Sequence, residues 1–100
     1  MFLASEKVLY LFEVRFSNKA EKSLKDCNEK LKDRLKEFFL KLQEAPVSAK
    51  EYDLKKISGA EDTYRIRLSS YRVTYTVFWE EKIIRVLFVE LRNESTYKNM

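Results

Sequence analysis

The spacing of hydrophobic positions changes along the chain. Over residues 8 to 16, VLYLFEVRF, the residues Phe12, Val14 and Phe16 alternate with Glu13 and Arg15, which predicts a strand with one buried face. From Ala20 the spacing lengthens to three or four: Ala20, Leu24, Cys27, Leu31, Leu35, Phe38 or Phe39, and Leu42 form a helical stripe facing a core. Asn18 with Glu21 three residues on has the form of a capping box, which sets the expected helix start there. A single straight helix over 18 to 44 would run roughly 40 Å at about 1.5 Å per residue, too long for a domain of this size. A break is therefore expected at Asp26 to Asn28, because both residue types leave helices readily. Pro46 ends the second helix, since the residue before proline is pushed out of the α region.

Residues 45 to 62 are expected to form a connection that turns at Gly59. Extended segments return at 64 to 68, 71 to 78 and 83 to 91, separated by Ser69-Ser70 and by a polar turn at Glu80-Glu81. The order predicts one α+β domain over residues 1 to 100: an N-terminal strand, a helical hairpin, then an antiparallel three-stranded meander, with the helices packed on one face of the sheet.

The hairpin YRIRLSSYRVTY, residues 64 to 75, divides into two faces. A two-residue turn at Ser69-Ser70 sets Arg67 opposite Arg72, Ile66 opposite Val73, Arg65 opposite Thr74 and Tyr64 opposite Tyr75. Tyr64, Ile66, Val73 and Tyr75 then share an apolar face, and Arg65, Arg67 and Arg72 project from the other. Arg67 beside Arg72 is a like-charge pairing that costs a few tenths of a kcal/mol to about 1. Ser-Ser is a mediocre hairpin turn, and a longer loop would shift this register.

Composition sharpens the question that this face raises. With 45% hydrophobic and 14% aromatic residues, one Gly and one Pro, the chain is a folding one. Net charge is +4. Residues 17 to 44 mix eight Lys or Arg with six Asp or Glu, whereas residues 64 to 76 carry three Arg and no acid. Such a patch attracts phosphates or an acidic protein, and arginine's planar fork matches a phosphate's oxygens. The plainer alternative is a solvated face whose arginines pair with loop carboxylates or with Glu90 on the next strand. Lys55 and Lys56 either extend a phosphate track, as candidate RNA-binding residues, or face water.

Several chemistries are excluded. One cysteine and no histidine rule out an intramolecular disulfide, a His- or Cys-based zinc site, and Ser-His or Cys-His nucleophile pairs. No Walker loop, GxGxxG or metal-ligand cluster is present, so no metal and no small-molecule cofactor is expected. Cys27 reads as a small core residue, and Trp79 as a sheet-edge residue before a base-stacking one. There is no signal-peptide pattern and no run of 18 apolar residues, so the expectation is a cytoplasmic protein without a membrane partner.

Strand FEVRFSNKAEKSLK, a Lys/Glu-rich helical pair ending in proline, YRIRLSSYRVTYTV, a short acidic turn, IIRVLFVELR and a late tyrosine together resemble the RelE/ParE superfamily of prokaryotic toxin-antitoxin toxins, over about residues 12 to 97. The RelE branch looks most similar, with residues 1 to 11 as an N-terminal extension. The resemblance implies a fold like that of small microbial ribonucleases and a ribosome-dependent endoribonuclease that cuts messenger RNA in the A site and inhibits translation. Carried over by motif, the catalytic set falls on Arg65, Arg67, Arg72, Arg92 and Tyr97. The implied partners are the ribosome, its mRNA and an acidic RelB-like antitoxin. The sequence departs from the family pattern at Ser58, where some members carry arginine, and in its Ser-Ser turn, where Gly-Asp is frequent. Two other readings stay open: a ParE-like gyrase inhibitor, and a noncatalytic RNA-binding homologue.

Overall fold

A computed structural model of the chain describes residues 11–47 and 52–91. Their elements are β1 (Glu13–Phe16), α1 (Asn18–Lys25), α2 (Glu29–Glu44), β2 (Lys55–Lys56), β3 (Thr63–Leu68), β4 (Tyr71–Phe78) and β5 (Ile83–Leu91). The strands make one five-stranded sheet in the order β1-β5-β4-β3-β2. The expected antiparallel meander is its centre. β1 lies parallel to β5, with Val14 beside Ile84 and Phe16 beside Val86, so the sheet is mixed.

Sheet pairing moves the start of α1 by one residue from the expected capping box. The Ser17 N–H donates to the Val86 carbonyl at 3.0 Å, continuing the β1–β5 ladder and holding Ser17 extended. Its Oγ then accepts from the Ala20 N–H at 3.0 Å and donates to the Leu87 carbonyl at 2.7 Å. Ser17 is therefore the N-cap, and Asn18, the expected cap, becomes the first helical residue. The break falls where periodicity and length require it: α1 ends at Lys25, and Asn28 caps α2 by accepting from the Leu31 N–H at 2.8 Å. Ala45 closes α2 directly before Pro46.

The connection after α2 differs from expectation in one respect. It contains β2, whose Lys55 pairs with Arg65 and Lys56 with Tyr64. Two adjacent lysines show no alternation, so only their pairing with β3 makes them a strand. Gly59 turns this segment at φ 81°, a conformation open to glycine without a Cβ clash.

The core lies between α2 and the sheet. Leu35, Phe38 and Leu42 are buried against Ile66, Val73, Tyr75, Val77, Ile84 and Val86. The Phe38 ring sits edge-on to Tyr52 at 4.9 Å and to Tyr75 at 6.2 Å between centroids. Tyr75 donates its hydroxyl to the Pro46 carbonyl at 2.7 Å, which ties the end of α2 to the middle of the sheet.

Burial, and then the neighbouring Tyr64, raise the Tyr75 pKa above its ordinary value of 10.0. A phenol is neutral when protonated, so the folded state holds this proton where the unfolded chain has released it. The resulting stabilisation is complete below the unfolded pKa and is lost as pH rises past it. The denaturant midpoint should therefore fall as pH passes about 10, and Tyr75→Phe should flatten that decline. Parallel declines in the two proteins would assign the alkaline sensitivity to other groups.

Candidate nucleic-acid interface

The hairpin adopts the two-residue register. Arg67 is the Cα partner of Arg72, Ile66 of Val73, Arg65 of Thr74 and Tyr64 of Tyr75. Tyr64, Ile66, Val73 and Tyr75 are buried toward α2, whereas Arg67 is exposed and Arg65 and Arg72 are half-buried on the opposite face. The Ser-Ser turn closes because Ser69 takes a left-handed φ of 57°. That conformation costs a non-glycine residue on the order of 1–2 kcal/mol, and it spares the strands the longer loop that would have shifted the arginines.

β5 completes the open face. Arg72 pairs with Glu90, Thr74 with Phe88 and Thr76 with Arg85, with an irregularity between Thr74 and Tyr75 that accommodates an extra β5 residue. Lys55 joins the same face through its pairing with Arg65, but Lys56 pairs with Tyr64 and so has the opposite parity. Of the two lysines, only Lys55 extends the arginine face. The structure thus brings Arg65, Arg67, Arg72 and Lys55 together. β5 ends at Leu91, and Arg92 and Tyr97 lie outside the described residues.

The charge that is uncompensated within residues 64 to 76 is partly compensated from elsewhere. Arg67 Nη1 lies 3.4 Å from Asp53 Oδ2, with the two side chains 48% and 49% exposed. At that exposure the ion pair contributes no more than about 1 kcal/mol; its main effect is to orient the guanidinium. Asp53 has a φ of 57°, a conformation that aspartate tolerates better than most residues. No local pattern announced this contact, because Asp53 stands in the connection before β2. Glu90 is on the arginine face by register, and Phe88, exposed at 37%, occupies the next rung.

The remaining candidates have structural roles. Trp79 donates its indole N–H to Asp62 at 3.2 Å and packs edge-on against Phe12 at 5.6 Å, capping the end of the sheet away from the Ser-Ser turn. Cys27 is buried, its thiol directed to the Ser23 carbonyl at 3.3 Å. Burial, and then Cys27, push the nearby Tyr71 phenol above its ordinary range. Among the described residues no group of three or more His, Cys, Asp or Glu could hold a metal ion, and no helix is long and apolar enough to cross a membrane.

A mixed sheet with two helices on one face and an arginine-bearing hairpin exposed on the other defines a class, and comparison with known proteins identifies it. Residues 14–95 match the family described as the ParE toxin of the type II toxin-antitoxin system parDE. The chain belongs to the RelE/ParE superfamily of type II toxin-antitoxin toxins. Within it, the relatives are RelE toxins. The chain is 32% identical over 88 residues to RelE1 of Methanocaldococcus jannaschii, a match covering 88% of this chain and 97% of that protein. It superposes on the archaeal RelE–RelB complex from Pyrococcus horikoshii with a TM-score of 0.75 and 31% identity, covering 84% of this chain and 98% of that one. The intact Escherichia coli RelBE complex gives a TM-score of 0.71 and 25% identity, covering 83% and 99% respectively.

Proposed function

We propose that this RelE-family toxin is a ribosome-dependent endoribonuclease that cleaves mRNA in the A site. The observation that carries the reading is the register that gathers Arg65, Arg67 and Arg72 on the sheet face opposite Tyr64, Ile66, Val73 and Tyr75. In the proposed reaction the 2′-oxygen of the RNA attacks the adjacent phosphorus. The three guanidiniums stabilise charge developing on the phosphate oxygens, in positions set before the substrate arrives. Arg92 would neutralise phosphate or the leaving oxygen, and Tyr97 would stack on a base or take part in proton transfer. Lys55 lengthens the phosphate track along the sheet edge.

The same face accounts for the expected partner. The P. horikoshii and E. coli relatives were crystallised with RelB antitoxins. By extension this toxin would be neutralised by an acidic, RelB-like chain that covers or displaces the arginine face. The free protein should be a poor nuclease, because it relies on the ribosome to position its substrate.

The test is to add the purified toxin to a reconstituted translating system and to naked RNA, and to map the 5′ ends. Cuts within the A-site codon that require ribosomes are the expected result. Rapid degradation of naked RNA would contradict the ribosome dependence. Intact mRNA in both, accompanied by inhibited gyrase in a parallel supercoiling assay, would move the chain to the ParE-type activity.

A further inference from the structure

The reaction proposed above needs a group to accept the 2′-hydroxyl proton; the three arginines cannot supply it, and Tyr97, offered above for base stacking or proton transfer, lies outside the described residues. The chain contains no histidine. Among the described residues, Glu37 lines a cavity with Arg67 and Glu81 one with Arg85, but neither is in strand register with the arginines; Glu13, Asp53 and Glu90 also lie beside the open face. Glu13, on the far strand β1, accepts from Arg15 at 2.8 Å. Asp53 is held by Arg67 at 3.4 Å. Glu90 is exposed and forms no ion pair among the described residues.

We propose that Glu90 is the general base of this toxin. The inference rests on the nuclease reading and adds to it a residue in direct contact with the reacting ribose. Its basis is a row across three adjacent strands, in which Arg67 on β3 is the Cα partner of Arg72 on β4, and Arg72 is the Cα partner of Glu90 on β5. Side chains directly opposed in this way leave the sheet with Cβ atoms about 4.5–5.5 Å apart. A phosphate gripped by Arg67 and Arg72 is therefore flanked on the β5 side by a carboxylate, one strand spacing away. The ribose that carries the attacking hydroxyl is bonded to that phosphate, so a chain lying across the strands sets its 2′-oxygen over Glu90. Arg72, between them, holds the phosphate without having to exchange a proton.

The step balances with water as the only other participant. The Glu90 carboxylate takes the 2′-hydroxyl proton as the 2′-oxygen bonds to phosphorus. The bond from phosphorus to the 5′-oxygen of the next nucleotide breaks, and that oxygen takes a proton from water. The products are a 2′,3′-cyclic phosphate and a 5′-hydroxyl, and Glu90 returns its proton to solvent. A general base of this kind contributes typically 10²–10⁴-fold to the rate.

The experiment compares wild type, Glu90→Gln and Glu90→Asp in single-turnover cleavage on programmed ribosomes at saturating toxin, with ribosome affinity and thermal midpoint measured alongside. Glu90→Gln keeps the shape and hydrogen-bonding reach of the side chain but cannot accept the proton. Its cleavage rate should fall by about 10²–10⁴ with affinity and midpoint unchanged, and Glu90→Asp should recover part of the loss. A Gln variant that cleaves as fast as wild type would overturn the role of Glu90 while leaving the nuclease reading in place. An Asp variant no faster than the Gln variant would overturn it as well. Failure of the wild type to cut on ribosomes would instead remove the nuclease reading, and this assignment with it.

Discussion

Replacing Arg65, Arg67 and Arg72 together by alanine is expected to abolish ribosome-dependent cleavage and growth inhibition while leaving the fold intact. Removing one preorganised donor to a developing oxyanion typically costs about 10²–10³ in rate. Groups that act as a unit do not add simply, but loss of all three should still bring cleavage below detection. Two opposing effects on stability are visible. The like-charge pairing of Arg67 with Arg72 is relieved, a gain of a few tenths to about 1 kcal/mol, while the half-exposed Arg67–Asp53 ion pair is lost, costing up to about 1 kcal/mol. None of the three arginines belongs to the buried core. Thermal unfolding of the triple variant should therefore stay cooperative. Full toxicity in a folded triple variant would sink the site assignment. Loss of cooperative unfolding would show instead that these stems carry more packing than their exposure suggests.

The largest stability effect is expected at Phe38, on the other side of the sheet. Its ring is fully buried and packs on Tyr52, Tyr75 and Phe39 at centroid distances of 4.9, 6.2 and 5.5 Å. Phe38→Ala removes the buried ring and leaves a cavity that rigid neighbours on β4 cannot fill, at a cost of roughly 3–5 kcal/mol. Typical domains hold only about 5–15 kcal/mol in all, so most of the margin would disappear. Leu40, on the same helix but 59% exposed, provides the control: Leu40→Ala should shift stability by no more than about 0.5 kcal/mol. Denaturant midpoints of the two variants check this, and similar midpoints would refute the assigned core face of α2. Toxicity should fail in Phe38→Ala for lack of folded protein, and in the triple arginine variant for lack of chemistry. Near-ultraviolet circular dichroism separates the two causes.

Much of this protein can be read directly from its residues. The division of the hairpin into a tyrosine-lined core face and an arginine face follows from a period of two and a two-residue turn. The break between α1 and α2 and the stop before Pro46 follow from side chains that compete with the helix backbone or block it. Each of these depends on residues close together in sequence, where a side chain's direction is tied to its neighbours' by backbone geometry. The resemblance to RelE toxins was legible for a similar reason, since its hallmark is one continuous stretch, YRIRLSSYRVTY.

Contacts between distant segments were left to the tertiary structure. The parallel docking of β1 on β5 set Ser17 rather than Asn18 as the helix cap, because the Val86 carbonyl holds Ser17 extended. Two lysines without any pattern became β2 once β3 offered them backbone partners. Asp53 came to Arg67 from outside the hairpin, and Glu90 came to Arg72 from the next strand. Local periodicity tells which way a side chain points, but not what will stand opposite it. That is decided when burial of the apolar face and backbone hydrogen bonding choose which strands pair and in what register. For this toxin, the arginines and Glu90 on the next strand could be read from the sequence, and the rung that sets Glu90 opposite Arg72 only from the sheet.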